Sequence, residues 1–174
     1  LWIALDLDRS VNIPASHRLD LAPGRDGRWP AEAWLDATEE YAVTVAASLA
    51  RHFIDEGRNV GMIATGAHLE TISPDRGGRQ LVKLLESLAV VAADGHMPLA
   101  EMLVAESPRF GRQTGLVVVT ASTDERWIAS LAEIASKGVR SSVILIEPDT
   151  FGPAPSSLLT VSGLAAAGIP VQLV

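Results

Sequence analysis

Two aspartates and a serine follow the first apolar segment of the chain at two-residue spacing. Asp6, Asp8 and Ser10 lie in the sequence LWIALDLDRS, which begins at Leu1. Residues i and i+2 of a strand point to the same side, so the two carboxylates should project together if the strand extends that far. Adjacent carboxylates repel each other unless a cation, a proton or hydrogen-bond donors intervene. Three interpretations follow: a metal site, a catalytic nucleophile with its acid/base partner, or the remnant of one of these.

The composition restricts the partners and the chemistry. The chain has 174 residues, 48% of them hydrophobic, and a net charge of -7. This length favours a single domain over residues 1–174 with one sizeable core. The acidic charge, with no cluster of Lys and Arg to offset it, argues against nucleic acid as a partner. The absence of cysteine excludes disulfides and thiolate zinc sites, and no apolar run is long enough to span a membrane.

Apolar segments alternate with helical patterns along the chain, which indicates an α/β sheet. The predicted strands cover residues 1–7, 59–65, 69–73, 115–121, 141–147 and 169–174. The predicted helices cover residues 36–57, 77–95, 98–107 and 124–138, with a short helix within 155–168. Only three residues, GAH, separate the second and third strands. That separation is too short for a helical crossover, so these two strands should form an antiparallel hairpin.

The segment from Ser10 to Leu35 has no regular periodicity and contains several prolines and glycines. Loops of this length are usually functional or disordered, and this one leaves the end of the strand that bears the two acids. Trp29 and Trp34 lie near its end, where an exposed indole could anchor a partner. The alternative is that both indoles pack the loop onto its own domain.

Four blocks in this order carry a resemblance to a known family: LWIALDLDRS, EYAVTVAASLARHFIDEGRNVGMIAT, SPDRGGRQLVKLLESLAVVAADGHMPLAEML and GLVVVTAS. They resemble the von Willebrand factor A fold and, more narrowly, the soluble region of the bacterial family called domain of unknown function 58. The resemblance covers nearly the whole chain except residues 11–34. It implies a three-layer α/β, Rossmann-like fold with a six-stranded, mostly parallel sheet in the order 3-2-1-4-5-6, strand 3 being the antiparallel edge.

The same resemblance implies a role and a location. Members of this family are expected to act as non-catalytic interaction or scaffold domains that work with AAA+ ATPases of the MoxR type. They usually follow amino-terminal membrane helices, so the resemblance implies a cytoplasmic domain of a parent protein that is anchored in the bacterial inner membrane. Because the chain opens on Leu1 already within a strand, we expect a domain excised from such a longer protein, with no direct membrane contact of its own.

In A domains generally, a metal-ion-dependent adhesion site lies where the first strand ends. It uses Asp-x-Ser-x-Ser there, a threonine from a later loop and an aspartate after the fourth strand. In this sequence Asp6 and Ser10 match the first motif, and Asp8 stands where its first serine would be. The resemblance places the threonine position at Met97, whose soft thioether suits magnesium poorly.

The aspartate position falls near Ala121, with Asp124 slightly further along as a substitute or as a helix cap. The resemblance therefore implies a degenerate site that holds no cofactor or a weakly bound Mg²⁺. In the metal-free alternative, Asp6 accepts backbone N–H bonds from neighbouring loops and Asp8 faces solvent. Either way, the carboxyl ends of the strands should form the partner-binding face. Its residues would be Trp29, Trp34, His96 and Asp124, beside the acidic pair.

Asp-x-Asp after an apolar strand is also the opening of haloacid-dehalogenase-type phosphatases. In that alternative Asp6 attacks phosphorus and Asp8 serves as the acid/base. Phosphate would be held by Thr120 and Lys137, and magnesium by Glu147 or Asp149. The early hairpin is not expected in that core. Lys137 has a simpler role as a cation at the carboxyl end of a helix.

Overall fold

Six strands form one sheet, with two of them in the predicted hairpin. The computed structural model describes residues 1–13 and 37–174. The strands are β1 (Trp2–Leu5), β2 (Val60–Thr65), β3 (Leu69–Asp75), β4 (Gly115–Thr120), β5 (Arg140–Leu145) and β6 (Val171–Leu173). Their order is β3-β2-β1-β4-β5-β6. β2 and β3 are antiparallel, and the other neighbouring pairs are parallel. The predicted strand order and the antiparallel edge are therefore confirmed.

Helices cover both faces of the sheet. They are α1 (Thr38–Asp55), α2 (Gly78–Leu88), α3 (Leu99–Glu106), α4 (Arg126–Ser136) and α5 (Leu158–Ala166). Buried side chains of α1 and α2 form one core with one face of the sheet, and those of α3, α4 and α5 form a second core with the other. β1 and β2 are buried along their whole length, as expected for parallel strands that are covered on both sides. No helix among the described residues is long and apolar enough to cross a membrane.

The helix that the sequence predicts over residues 77–95 ends at Leu88. The chain then leaves helical geometry because Gly95 pairs with the segment that follows β1. The Gly95 N–H donates to the Leu7 carbonyl at 3.2 Å, and the Arg9 N–H donates to the Gly95 carbonyl at 2.9 Å. This short bridge brings residues 93–98 to the carboxyl end of β1, where the acidic pair lies.

Candidate functional site

Asp6 is the first residue after β1 and is 1% exposed. Its Oδ2 accepts a hydrogen bond from the Thr120 hydroxyl at 2.6 Å, and its Oδ1 accepts one from the Asp8 N–H at 3.2 Å. Burial raises the pKa of Asp6 to about 6; the two hydrogen bonds act in the opposite direction, and the Asp8 carboxylate raises the pKa further. With a hydrogen bond to each of its carboxylate oxygens, Asp6 ties the end of β1 to β4.

Asp8 is 7% exposed, so the expectation that it faces solvent in a metal-free site is wrong. The physical reason is the bridge to Gly95, which covers Asp8 with a neighbouring segment of backbone. One carboxylate oxygen of Asp8 accepts the Ser10 N–H at 2.8 Å, which forms a tight turn. The Ser10 side chain itself is exposed.

Residues that the sequence analysis did not single out hold this loop in place. The Asn12 side-chain amide donates to the main-chain carbonyls of Asp8 at 2.9 Å and Asp6 at 3.3 Å. The Thr38 hydroxyl donates to Asn12 Oδ1 at 3.1 Å and accepts the Ile13 N–H at 2.8 Å. The loop is thus fixed to the start of α1. Asn and Thr are common in turns and at helix starts, but their sequence positions alone do not identify these partners.

The loop after β4 forms the other side of the site. The Ser122 N–H donates to the Thr120 hydroxyl oxygen at 2.9 Å, and the Asp124 N–H donates to Ser122 Oγ at 3.3 Å. The Asp124 carboxylate accepts the Arg126 backbone N–H at 3.0 Å and the Arg126 Nε–H at 2.7 Å. These bonds from Arg126 lower the pKa of Asp124. Asp124 therefore ties its loop to Arg126, the first residue of α4, although the residue at the N-cap position is Glu125.

A cleft of about 130 Å³ lies between these two loops and the start of α3. Its charged lining residues come from three parts of the chain: Asp8 after β1, Glu101 in α3, and Asp124 with Arg126 after β4. Ser10 and Ser122 also line it. The strand order reverses between β1 and β4, so this cleft lies at the switch point where ligands bind in open α/β sheets.

The remaining predicted partner residues lie elsewhere or outside the described part of the chain. His96 is exposed and follows the bridging Gly95, but it does not line this cleft. Trp29 and Trp34 fall outside the described residues, so their predicted role remains a prediction. Asp124 is the predicted partner-binding residue that the structure places in the cleft beside Asp8 and Ser10.

The side chains present fit a resident magnesium ion poorly. Within residues 1–13 and 37–174, no group of three or more His, Asp or Glu side chains is arranged to hold a metal. Both Asp6 oxygens are engaged, Met97 packs against the core and Ala121 is buried. Since Mg²⁺ requires near-octahedral hard oxygen ligands, this donor set is incomplete. A weakly bound Mg²⁺ at Asp6, Asp8 and Ser10 remains a prediction.

The structure brings only some residues of the phosphatase alternative together. Lys137 follows α4 and pairs with Glu133 at 2.7 Å, at the amino-terminal edge of the sheet where β5 begins. Asp6 lies at the opposite edge, about 20 Å away by strand length. Glu147 accepts hydrogen bonds from the N–H of Ser157, at 3.1 Å, and from its hydroxyl. Of the described residues assigned to this alternative, Thr120 and Asp8 donate hydrogen bonds to Asp6.

No protein-family model matches the sequence, and no curated protein matches it either. Solved structures do share its fold. An aerotolerance-related membrane protein from Bacteroides fragilis NCTC 9343 has a TM-score of 0.59 and 16% identity, over 99% of this chain and 89% of that one. The SpRpn10 VWA domain has a TM-score of 0.56 and 14% identity, over 99% and 86%.

The pilus adhesin SpaC from Lactobacillus rhamnosus GG has a TM-score of 0.64 and 8% identity, over 99% of this chain and 28% of the adhesin. At these identities the likeness concerns the fold alone. Together with the strand order, it identifies the fold of this chain as Rossmann-like and von Willebrand A-like.

Proposed function

We propose that this domain is a non-catalytic protein-interaction module whose binding face is the carboxyl-terminal edge of its sheet. The observation that carries the proposal is the cleft at the switch point, where charged side chains from three separate elements converge. Such crevices are the usual ligand positions in open α/β sheets. The likeness to a pilus adhesin is consistent with a binding role.

Asp6 supports a binding role over catalysis. A nucleophile must reach its substrate, whereas Asp6 is 1% exposed and has both carboxylate oxygens engaged. We therefore treat the acidic motif as a degenerate adhesion site in which Asp6 stabilises the loops and Asp8 lines the cleft. The domain should show no turnover of p-nitrophenyl phosphate with or without Mg²⁺. Turnover that disappears in Asp6→Asn would overturn the non-catalytic assignment.

Within this proposal the partner is a MoxR-type AAA+ ATPase, and the parent protein is anchored in the bacterial inner membrane with this domain in the cytoplasm. The support comes from the four sequence blocks between LWIALDLDRS and GLVVVTAS, because their order is similar to that in the domain of unknown function 58 family. The description of the Bacteroides fragilis neighbour as a membrane protein is consistent with such a parent.

The test is binding of the purified chain to the purified MoxR-type ATPase of the same organism, with a steric block placed in the cleft. Ser10 is exposed and lines the cleft, so Ser10→Trp should weaken binding by about tenfold if the cleft is at the interface. Ser136→Trp is the matched control, because Ser136 is exposed at the opposite edge of the sheet. If the two variants bind the ATPase with equal affinity, the proposed binding face is wrong. If the wild-type chain does not bind the ATPase at all, the proposed partner is wrong.

A further inference from the structure

The open edge of the sheet at β6, with α5 beside it, carries no charged side chain of its own. Residues 150–174 contain no Asp, Glu, Lys or Arg, although 20% of the whole chain is charged. Native edge strands usually bear charges or prolines that keep other strands away. β3, at the opposite edge, follows that rule with Glu70, Pro74 and Asp75, whereas β6 contains neither. The exposed large apolar side chains of this segment are Leu158, Leu159, Leu173 and Val174.

The backbone of β6 presents hydrogen-bonding groups on its outer side. The main-chain groups of Pro170 and Val174 both bond to β5, each at 2.9 Å. Since these directions alternate along a strand, Val171 and Leu173 direct their N–H and C=O groups to the open side. The Leu173 carbonyl accepts a hydrogen bond from the Gln172 side chain at 2.9 Å. That contact is exposed, so an incoming strand can replace it.

The two exposed leucines of α5 face different directions. A Cβ on Gly163 would lie 2.9 Å from the Ile128 side chain of α4, so Gly163 marks the side of α5 that packs on α4. Because each helical residue turns by about 100°, Leu159 lies about 40° around the helix from Gly163 and Leu158 about 140°. Leu158 is therefore turned away from α4 and towards the open edge, although the two leucines are equally exposed at 69%.

The lack of charge at this edge decides which partner it fits. Each copy of the chain carries a net charge of -7, so two copies repel each other across most of their surfaces. In a two-fold interface both copies contribute the same patch, and a charged residue near the axis would meet its own like charge. Residues 150–174 bring no charged side chain to such an interface. This edge is therefore suited to a second copy of the chain.

We propose that β6 pairs antiparallel with β6 of a second copy about a two-fold axis at Gln172, which joins the two sheets into one. In this register Val171 of each copy lies opposite Leu173 of the other, and the outward main-chain groups of both residues are hydrogen-bonded. Val171 packs against the core of α3, α4 and α5, so both side chains lie on the face that α5 covers. Leu158 adds apolar contact on that face. The surface lies two strands from the cleft and does not depend on the proposed function.

Disulfide cross-linking tests the position of the axis. Because the chain has no cysteine, Gln172→Cys places a single thiol there. Directly opposite residues of an antiparallel pair have Cα atoms about 4.5–5.5 Å apart, within the range of about 4.4–6.8 Å that a disulfide spans. Under mild oxidation this variant should form linked dimer about tenfold faster than Ser73→Cys, because pairing holds the two thiols at high effective concentration. Ser73 is the matched control, since it is exposed in the other edge strand, β3. Equal rates overturn the proposed pairing.

Sedimentation equilibrium measures the same association in the wild-type chain. The mass should rise with concentration from 18.4 kDa towards twice that value. High salt should strengthen the association, because salt screens the repulsion between two acidic copies. A mass of 18.4 kDa at every concentration overturns the proposal. Association that salt weakens also overturns it, because such a dependence indicates a charge-paired interface.

Two glutamate variants of α5 test the role of its leucines. Leu158→Glu places a like charge of each copy at the interface and should weaken the association about tenfold. Leu159→Glu is the matched control, because it adds the same net charge at an equally exposed position that is turned away from the edge. Equal effects of the two variants overturn the interface. If the wild type stays monomeric and instead co-sediments with phosphatidylcholine vesicles, the edge binds a bilayer and the proposed second copy is wrong.

Discussion

At the scale of single residues, the acidic motif divides into two different roles. Asp6 is a buried structural carboxylate, held by the Thr120 hydroxyl and the Asp8 N–H. Asp8 is buried by a backbone bridge but still lines the cleft. Asp6 and Asp8 look equivalent in the sequence, but of the two it is Asp8 that lines the cleft. This difference has a measurable consequence for stability.

The pKa of Asp6 predicts how stability depends on pH. Because the folded-state pKa is about 6 and the ordinary value is 3.8, the folded protein binds this proton more tightly than the unfolded chain does. The stabilisation that the folded protein gains from binding this proton is fully present below about pH 4, and it is lost as the pH rises through 6. At neutral pH the buried charge costs on the order of 2 kcal/mol.

Asp6→Asn should therefore stabilise the protein at pH 7.5, by on the order of 1–2 kcal/mol, with much less effect at pH 4. The amide oxygen can still accept the Asp8 N–H, and the amide nitrogen can donate to the Thr120 oxygen. Urea unfolding at both pH values measures the difference. Asp149→Asn is the control, because Asp149 is exposed. An Asp6→Asn effect that is the same at the two pH values would contradict the assigned pKa.

At the scale of elements, the site depends on how closely residues 93–96 approach the ends of β1 and β2. A Cβ on Gly95 would lie 2.2 Å from the Thr65 carbonyl oxygen and 3.0 Å from that of Leu7. Backbone atoms cannot move aside as a side chain can. Gly95→Ala should therefore destabilise the domain by about 2 kcal/mol or more, or detach this segment from β1.

Gly78 provides the matched control for that substitution. It is the first residue of α2, and a Cβ there would contact nothing within 4 Å. Gly78→Ala should stabilise the protein slightly, by about 0.5 kcal/mol, because alanine is the better helix former and restricts the unfolded chain. Urea unfolding of the two variants tests the comparison. If Gly95→Ala is as stable as Gly78→Ala, the bridge to β1 does not have the close geometry described here.

The elements were more predictable from the sequence than the contacts between them. The hairpin follows from three residues between two apolar segments, and the order of the remaining strands follows from the family resemblance. The local helical pattern predicts a helix that continues to residue 95, whereas α2 ends at Leu88 and Gly95 instead pairs with the segment after β1. Likewise, the hydrogen bond between Asp6 and Thr120 joins residues 114 positions apart, and periodicity carries no information about such pairs.

At the scale of the whole molecule, two hydrophobic cores share one sheet. Leu84 belongs to the core formed with α1 and α2, and Leu131 belongs to the core formed with α3, α4 and α5; both are fully buried. β1 and β4 contribute side chains to both cores. Because neither core can lose its helices without exposing the strands that support the other, we expect the two cores to unfold as one cooperative unit.

This expectation can be tested by damaging one core and observing the other. Leu84→Ala should lower the free energy of unfolding by about 2–5 kcal/mol, because it leaves a cavity in the core. In a background with Trp29→Phe and Trp34→Phe, the remaining fluorescence comes from Trp2 and Trp127, which both lie in the other core.

The fluorescence transition in urea should move to lower concentration together with the circular dichroism transition, since the two cores unfold together. Leu131→Ala, which damages the core that contains the tryptophans, should give the same coincidence. Leu159→Ala is the control, because Leu159 is 69% exposed and its truncation creates no cavity. A fluorescence midpoint that Leu84→Ala leaves unchanged while the circular dichroism midpoint falls would show that the two faces unfold separately, and the cleft between β1 and β4 would then depend on only one of them.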